Sequence, residues 1–372
     1  MATAKKSKII RLITPGLIFQ SILIAGGYGT GAELSEFFFP SGSLGGLLSM
    51  VVSMICLSVV CAVTFEFARV FKTYTYLDFF KKLIGRFWIL FEISYLILLF
   101  LVLSVVVAAS GQNLYDVFGI NKWVGIILLA AGVAYLVIAG TKVLVNVLSV
   151  WSYVLYTVYI IFMAICIVKF GGTIAEQLTV VKEINPGWVI GGGKYAFYNL
   201  ACVAFILYTV TEMESRKEAI ASGLIAGAIG IVPGIMLFIT MIGKYPDIMT
   251  SAVPLNVILA DLNIRWFQII FLLVLFGTFI ETGAGFIKAA TDRLEKQFCT
   301  EENPRKWLRT TATVVFLLLG MFVANFGLTG LIAKGYGTIT WVFFVVYIIP
   351  LLTIGIYKIY KHDKTVGGEQ IK

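Results

Sequence analysis

The chain has 372 residues, of which 59% are hydrophobic and only 13% charged, and its formal net charge is +9. Soluble domains carry about a quarter charged residues, so the composition excludes an ordinary soluble protein and indicates a polytopic helical membrane protein. The single histidine, His362, and the absence of a Cys/His cluster, a P-loop or a GxSxG motif argue against a transition-metal site and against the common enzyme classes.

Ten segments are apolar enough to cross a bilayer, which takes about 20 residues. In chain order, and numbered one to ten, they are residues 11–39, 43–68, 88–112, 123–140, 143–169, 189–211, 220–243, 265–288, 308–326 and 337–358. The basic, aromatic segment 70–87 predicts a helix lying at the membrane interface. Residues 301–306 predict a solvated loop, and residues 361–372 a disordered polar tail.

The positive charges are distributed unevenly between the two sides of this topology. With both termini placed inside, 22 of the 29 Lys and Arg residues fall in inner segments and 7 in outer ones. Cytoplasmic loops of membrane proteins carry such an excess. The net charge therefore reflects orientation rather than nucleic-acid binding, and both termini are expected in the cytoplasm.

The ten predicted helices divide into two halves of opposite direction. Residues 11–170 begin inside and end outside, residues 188–360 do the reverse, and residues 171–187 connect them. Residues 1–10 and 361–372 flank the halves as cytoplasmic segments. This arrangement predicts a five-plus-five inverted repeat, in which helix six is the counterpart of helix one.

Helix one contains four glycines in six residues, and each costs about 1 kcal/mol relative to Ala inside a helix. We expect the helix to break at mid-membrane and to expose backbone groups to a solute site, as in many transporters. The candidate substrate-binding residues are Gly26, Gly27, Tyr28, Gly29, Thr30, Gly31 and Glu33. Two alternatives stay open: the glycines permit close helix packing, or Glu33 caps the outer half-helix.

Helix six carries small and polar residues near its centre but no glycine there. Tyr198, Asn199 and Cys202 are the candidates for the second side of the site. The alternative is a continuous, packed helix.

Two stretches resemble the amino acid–polyamine–organocation superfamily, whose fold is the five-plus-five repeat of the LeuT type. They are the GGYGTG break and the run from Tyr198-Asn199 through the charged segment Thr211–Glu218. Over residues 10–360 the layout is similar to the YkvI-type bacterial membrane proteins of that group. The resemblance implies a bacterial cytoplasmic-membrane protein with a solute pocket between helices one, three, six and eight.

The resemblance also implies an ion site between helices one and eight. By position its carbonyls would come from Ala25 and Tyr28 and its hydroxyls from Thr278 or Thr282, with Glu281 adding a negative charge. Glu281 would bind Na⁺ or carry H⁺ as the coupling residue; the alternative is a carboxyl group that bonds neighbouring hydroxyls. Related sodium symporters often carry an Asn just after the glycine pair of helix one, where it helps to bind one sodium ion. In this sequence Ala32 stands at that position, so the resemblance does not extend to this first sodium site.

Other polar residues within the spans have more ordinary interpretations. We expect Glu36 to face an outer vestibule, and Glu66 and Glu92 to form ion pairs at the interface. The hydroxyl and amide groups of helices three and five are weaker candidates and are expected to bond their own helices or to make contacts between helices: Tyr95, Ser104, Ser110, Asn146, Ser149 and Ser152.

Together these features predict a secondary active transporter, not an enzyme, for a small organic solute such as an amino acid or related amine. Exposed amides of helix one would hold its carboxylate, and carbonyls with Glu33 would hold its ammonium group. The expected partners are the solute, the coupling ion Na⁺ or H⁺ and the lipid bilayer, with no other cofactor and no nucleic acid. The alternative is a non-transporting membrane sensor or assembly component, and the sequence leaves the oligomeric state open.

Overall fold

The computed structural model describes residues 8–139, 141–298 and 306–369, and within them it contains helices and turns. The α-helices, in chain order, are α1 (Lys8–Leu23), α2 (Gly26–Gly29), α3 (Ala32–Phe37), α4 (Ser43–Phe71), α5 (Tyr76–Ile84), α6 (Trp88–Phe118), α7 (Lys122–Ala139), α8 (Thr141–Glu176), α9 (Trp188–Asn199), α10 (Arg216–Ile242), α11 (Pro254–Leu262), α12 (Arg265–Phe298), α13 (Lys306–Ala324), α14 (Leu328–Gly330), α15 (Gly337–Phe343) and α16 (Ile356–Glu369). Short 3₁₀ or π segments join several of them, so that 328–365 forms one long helical span.

Eight of the helical spans within the described residues are long and apolar enough to cross a membrane. Large apolar side chains on α7 and α13, among them Leu128 and Phe322, are exposed on the outside of the bundle. A surface of this kind is stable in hydrocarbon rather than in water. The chain is therefore a multi-pass membrane protein. Two further apolar stretches, helix one and helix six, are interrupted and so are not among the eight.

Helix one is broken, as its glycines predict, and the interruption occurs at two places instead of one. It consists of α1, α2 and α3, with interruptions at residues 24–25 and 30–31. Gly31 adopts φ = +82°, a left-handed conformation that a residue with a Cβ rarely takes. The glycine run therefore breaks the helix and also allows its second half to change direction.

Helix six changes its hydrogen-bonding pattern instead of opening. Its α-helical part, α9, ends at Asn199, and two 3₁₀ segments, Leu200–Phe205 and Leu207–Glu212, continue it. The tighter 3₁₀ winding interrupts the α-helix in mid-span, and such stretches often mark hinges or strain. Neither glycine nor proline lies at the transition, so the sequence carries no local signal for it.

Charged residues near both described ends of the chain meet on one face of the bundle, which we call the N-terminal face. Arg11 forms ion pairs with Glu214 at 3.3 Å and Glu218 at 3.1 Å. On the same face, Arg216 pairs with Asp363 of α16 at 2.7 Å. The start of α1 and the end of α16 therefore lie on the same side of the membrane-spanning bundle.

The ion pairs expected for two carboxylates are confirmed on this face. Arg69 donates two hydrogen bonds of 2.8 Å to Glu66. Glu92 pairs with Arg293 of α12 and accepts a 3.1 Å hydrogen bond from Tyr76. Glu92 therefore connects α5, α6 and α12, and Glu66 connects α4 to α10, because its Oε1 lies 3.8 Å from Nε of Arg216.

The segment 70–87 contains the short amphipathic helix α5. Thr75 caps it by accepting a 3.2 Å hydrogen bond from the Asp78 N–H. Phe79 and Phe80 are buried and contact Tyr347 edge-on, while Lys82 is exposed. The predicted amphipathic helix is thus present, with its apolar face against the bundle.

The structure differs from the sequence-based expectations in two places, and a third expectation falls almost entirely outside the described residues. The polar tail expected to be disordered is helical as far as Glu369, because α16 continues the preceding span and is held by Arg216 and by a 2.6 Å hydrogen bond from Lys358 to the carbonyl of Lys82. Helix α11, between helices seven and eight, was not expected, although Pro254 marks its first turn. The predicted loop at 301–306 lies, except for its last residue, outside the described residues.

Candidate functional site

Glu33 is the centre of the candidate site. It lies in the first turn of α3, directly after the second break in helix one, and its side chain is only 1% exposed. The hydroxyl of Tyr198, on α9, donates a 2.6 Å hydrogen bond to the Glu33 carboxylate. This bond connects the broken part of helix one with helix six one residue before the α-helix of helix six ends.

The carboxylate folds back over the glycine-rich break. A Cβ added to Gly27 would lie only 2.7 Å from Cγ of Glu33, so the position has no room for a side chain. The backbone of Tyr28 also lies next to the carboxylate. The backbone of Gly27 and Tyr28 therefore lies against Glu33. Position 27 requires a glycine because a Cβ there would collide with the Glu33 side chain.

Aromatic rings enclose the Tyr198 side of the site. Tyr198 stacks on Tyr336 with ring centroids 4.7 Å apart and an angle of 25° between the planes. Phe37 and Tyr195 contact the same ring at 5.7 and 5.9 Å. The hydroxyl of Tyr198 is therefore held in place from several sides.

A closed cavity of about 10 Å³ adjoins Glu33 and Tyr198, which is room for at most one water. Asn199 and Cys202 line it, as does Phe286 of α12. The amide of Asn199 donates to the carbonyl of Tyr195 at 2.9 Å, so it is partly engaged within its own helix. Glu33 of helix one thus meets Tyr198, Asn199 and Cys202 of helix six at one buried point, and this conformation encloses it too tightly for a solute.

The other residues of the break face different neighbours. The hydroxyl of Thr30 donates to the carbonyls of Gly26 and Gly27 at 2.8 and 3.0 Å, which stabilises the turn itself. The hydroxyl of Tyr28 points at the backbone of Gly234 on α10. A Cβ at Gly26 would lie 2.9 Å from the backbone of α6. Thr30, Tyr28 and Gly26 therefore shape the break and pack it against neighbouring helices, whereas Glu33 accepts the hydrogen bond of Tyr198.

Gly29 and Gly31 lie on the side of the break that is remote from Tyr198. A Cβ at Gly29 would collide with Leu275 of α12, and one at Gly31 would meet Met241 and Leu255 at 3.1 and 3.2 Å. The backbone N–H of Leu255 donates a 3.2 Å hydrogen bond to the carbonyl of Thr30. Helix α11 is therefore attached directly to the break.

The two threonines of the predicted ion site have different surroundings. Thr282 donates a 3.3 Å hydrogen bond to the carbonyl of Ile24, at the first break of helix one. Thr278 instead bonds the carbonyl of Val274 at 2.9 Å and accepts a 3.1 Å bond from Trp151 of α8. Only Thr282 reaches helix one in this conformation.

The predicted carbonyl ligands and Glu281 complete the description of this region. The carbonyls of Ala25 and Tyr28 accept hydrogen bonds from Gly29 and Gly31 at 2.9 and 3.0 Å. Glu281 is 3% exposed, and its Oε1 has no hydrogen-bond partner among the described residues. A buried carboxylate oxygen without a partner costs free energy, so Glu281 is a strong candidate for binding a proton or a cation.

The remaining candidate residues whose side chains are described make contacts that are typical of residues with a structural role. Ser104 and Ser110 bond carbonyls of their own helix at 2.6 and 2.8 Å, as expected for isolated hydroxyls. Glu36 is half-buried near Lys194. Tyr95 stacks on Phe286 with ring centroids 6.2 Å apart. Asn146, Ser149 and Ser152 lie outside the residues whose side chains are described.

Sequence reasoning missed three residues that contribute to the site. Tyr336 and Phe286 look like any other aromatic residue in an apolar segment, so no local pattern marks them. The carbonyl of Ile24 was missed because the register of the break is set by hydrogen bonds from Ala25 to Leu23 and from Gly29 to Ala25, at 2.8 and 2.9 Å.

Comparison with solved structures identifies the fold. One match is MhsT in complex with L-phenylalanine, at 16% identity and a TM-score of 0.59, covering 93% of this chain and 97% of that one. Another is the substrate-bound outward-open state of a Na⁺-coupled sialic acid symporter, at 11% identity and a TM-score of 0.64, covering 89% of this chain and 78% of that one. Comparisons with known protein families and with curated protein sequences give no match.

At these identities the likeness concerns the fold. The chain is an all-α polytopic membrane protein with a LeuT-type fold, in which helices one and six are interrupted.

Proposed function

We propose that the protein is a secondary active transporter that moves a small organic solute across a membrane in exchange for the energy of a Na⁺ or H⁺ gradient. The solute site lies at the break of helix one, against helix six. The supporting fold is shared with MhsT, which was solved with L-phenylalanine, and with a Na⁺-coupled sialic acid symporter.

The observation that carries the proposal is the hydrogen bond between Tyr198 and Glu33. A carboxylate buried in a membrane protein is costly, and such residues mark substrate or ion pathways. Here the carboxylate sits at an interrupted helix, where backbone groups are free to bind ligands. Its partner lies on helix six, whose α-helix passes into 3₁₀ winding after Asn199, so the contact joins two interrupted helices.

The geometry supports alternating access, in which a buried site opens to one face at a time. Toward the N-terminal face, Arg11 of α1 is held by Glu214 and Glu218. Toward the opposite face, Leu255 of α11 bonds the carbonyl of Thr30. With both contacts made, the cavity beside Glu33 is closed. Breaking the ion pairs of Arg11 would open the site toward the N-terminal face, and breaking the hydrogen bond of Leu255 would open it toward the opposite face.

The coupling ion binds between helix one and α12 in this proposal. The hydroxyl of Thr282, the carbonyl of Ile24 and the unpartnered carboxylate oxygen of Glu281 are oxygen donors of the kind that Na⁺ takes. A proton on Glu281 would satisfy the same buried charge. Replacing Na⁺ by choline at constant pH, and dissipating the pH gradient at constant Na⁺, separates the two ions.

The N-terminal face is assigned to the cytoplasm of a bacterial plasma membrane, because 22 of the 29 Lys and Arg residues lie on the side of the predicted termini. An impermeant thiol reagent applied to intact cells should label Glu176→Cys and spare Arg86→Cys. The reverse pattern would invert the assignment. The division into halves 11–170 and 188–360, related as an inverted repeat, is part of the same proposal.

The proposed function is tested with the purified protein in liposomes. Radiolabelled candidate solutes are offered under an inward Na⁺ or H⁺ gradient. If the protein is a transporter, the liposomes will accumulate at least one of these solutes above its external concentration. An ionophore that dissipates the gradient should abolish accumulation. A protein that binds solutes yet never accumulates any under either gradient would be a sensor rather than a transporter.

A further inference from the structure

Glu33 occupies the part of the helix-one break where an anionic group of a solute would otherwise meet backbone amides. Its carboxylate lies directly over Gly27 and next to the backbone of Tyr28, while Tyr198 approaches it from the other side. The Tyr198 hydroxyl donates to it, so the carboxylate is held as an acceptor. The protein thus supplies its own carboxylate at this position.

The described lining of the adjoining cavity offers no positive charge to balance a second carboxylate. It consists of apolar, aromatic and neutral polar side chains together with Glu33: Ile22, Leu23, Ala25, Glu33, Leu98, Val102, Tyr198, Asn199, Cys202, Phe286 and Tyr336. The lysine of α9 that precedes Tyr198 by one turn, Lys194, interacts with Glu36 instead. A solute carboxylate would therefore meet Glu33 at close range in a dry site, and such like charges repel strongly.

An ammonium group fits the same surroundings well. Glu33 offers it an opposite charge, and the stacked rings of Tyr198 and Tyr336 offer π faces that attract cations. The apolar residues of α1 and α6 that line the cavity, such as Leu23, Leu98 and Val102, suit a hydrocarbon body.

We propose that the solute is an organic amine without a carboxylate, whose ammonium group binds Glu33 while its apolar part lies against α6. This inference rests on the proposed function and narrows it, because an amino acid and an amine are both compatible with a transporter of this fold. It also reverses the expectation from sequence that free amides of helix one bind a solute carboxylate.

The test uses pairs of solutes that differ only by the carboxylate. Isoamylamine and leucine, phenethylamine and phenylalanine, and putrescine and ornithine form such pairs. Each is offered to the purified wild-type protein, with thermal stabilisation as the measure of binding, and to proteoliposomes under an ion gradient, with accumulation as the measure of transport. Ligands that bind the folded protein raise its apparent stability.

The expected result is that in at least one pair the amine binds about tenfold or more tightly than the amino acid. Glu33→Gln should abolish the preference for the amine. Glu36 is a half-buried carboxylate three residues away, and Glu36→Gln should retain that preference. Tighter binding and uptake of the amino acid of every active pair would overturn the inference and leave the transporter proposal intact. Accumulation of no solute of either class under any gradient would overturn both.

Discussion

The hydroxyl of Tyr198 and the carboxylate of Glu33 are hydrogen-bonded at 2.6 Å across 165 positions of the chain. Glu33 follows the second break of helix one, and Tyr198 precedes the last residue of α9, where helix six passes into 3₁₀ winding. One hydrogen bond therefore links helix one and helix six, both of which are interrupted. A rearrangement of either helix must break or move this bond.

Removing the Tyr198 hydroxyl should weaken this link without disturbing the rings. Tyr198→Phe keeps the stacking on Tyr336 but removes the hydrogen bond that the hydroxyl donates to the buried carboxylate of Glu33. Hydrogen bonds to charged groups contribute about 1.5–3 kcal/mol in general and less inside membranes, so we expect a loss of about 1–2 kcal/mol in stability. Thermal unfolding in detergent measures the change.

Tyr336→Phe is the matched control for this experiment. Its ring is equally buried and belongs to the same stacked pair, but its hydroxyl has no hydrogen-bond partner in the described part of the chain. Its removal should therefore change stability little. Equal losses in the two variants would show that the Tyr198–Glu33 bond contributes no more than ring packing.

Gly27→Ala should displace Glu33. The added methyl group would lie within 2.7 Å of Cγ of Glu33, so the carboxylate must leave its position over the break. A misplacement of about 1 Å in a binding group can reduce activity by about a hundredfold. We expect solute uptake to fall at least tenfold while the amount of protein in the membrane is unchanged, as quantitative immunoblotting would establish.

The control for Gly27→Ala is Gly172→Ala. Gly172 lies within α8 and a Cβ there would contact nothing within 4 Å, so this change adds a methyl group without a collision. Uptake should persist. Full uptake by Gly27→Ala would mean that Glu33 does not act from its observed position.

Thr282→Val should weaken ion coupling more than Thr278→Val. The hydroxyl of Thr282 reaches the carbonyl of Ile24, whereas that of Thr278 is engaged with Val274 and Trp151. Valine keeps the shape and removes only the hydroxyl. For a Na⁺-coupled transporter, the Na⁺ concentration for half-maximal uptake should rise about tenfold for Thr282→Val, since a lost ligand costs about 1.4 kcal/mol or more.

Thr278→Val should leave the Na⁺ dependence close to that of the wild type, because Trp151 retains the carbonyl of Val274 at 3.2 Å as an acceptor. If the two variants respond equally, or if Thr278→Val has the larger effect, the assignment of Ile24 and Thr282 to the ion site is wrong.

Arg11→Ala should favour opening toward the N-terminal face. The guanidinium group is 10% exposed and bonds Glu214, Glu218 and, at 3.0 Å, the carbonyl of Glu212, so it fastens α1 to the segment before α10. Its loss leaves Glu218 buried without this cation, which destabilises the closed arrangement. A cysteine at Ser21, which is 8% exposed in α1, should react several times faster with a small maleimide.

Arg86→Ala provides the comparison on the same face. Arg86 is exposed and lies over the ring of Phe87, so its removal changes the local charge without releasing α1. The reactivity of a cysteine at Ser21 should stay at the wild-type level. An equal increase in both variants would indicate a general effect of charge rather than release of a specific contact.

The break in helix one was predictable from the sequence because its cause is local. Gly27, Gly29 and Gly31 disfavour a helix wherever they stand, and the left-handed φ of Gly31 agrees with that. Glu33 was likewise conspicuous as a carboxylate inside an apolar segment.

The partners of these residues were not predictable, because their contacts depend on tertiary packing. Tyr198 was a candidate, but no local pattern pairs it with a residue 165 positions away. The 3₁₀ winding after Asn199 could not be predicted, because no glycine or proline lies at that point of the sequence. The difference between Thr278 and Thr282 follows from their orientation toward α8 and helix one, respectively, which one helix considered alone cannot reveal.

The most direct test of the proposed site compares wild type, Glu33→Gln and Glu36→Gln in proteoliposomes, using whichever solute the wild type accumulates under an ion gradient. Both changes remove one negative charge from α3, but only Glu33 accepts the hydrogen bond of Tyr198 and adjoins the closed cavity. The proposal predicts that Glu33→Gln loses gradient-driven accumulation and that Glu36→Gln retains most of it. Wild-type accumulation by Glu33→Gln would contradict the assignment of the solute site to the break of helix one.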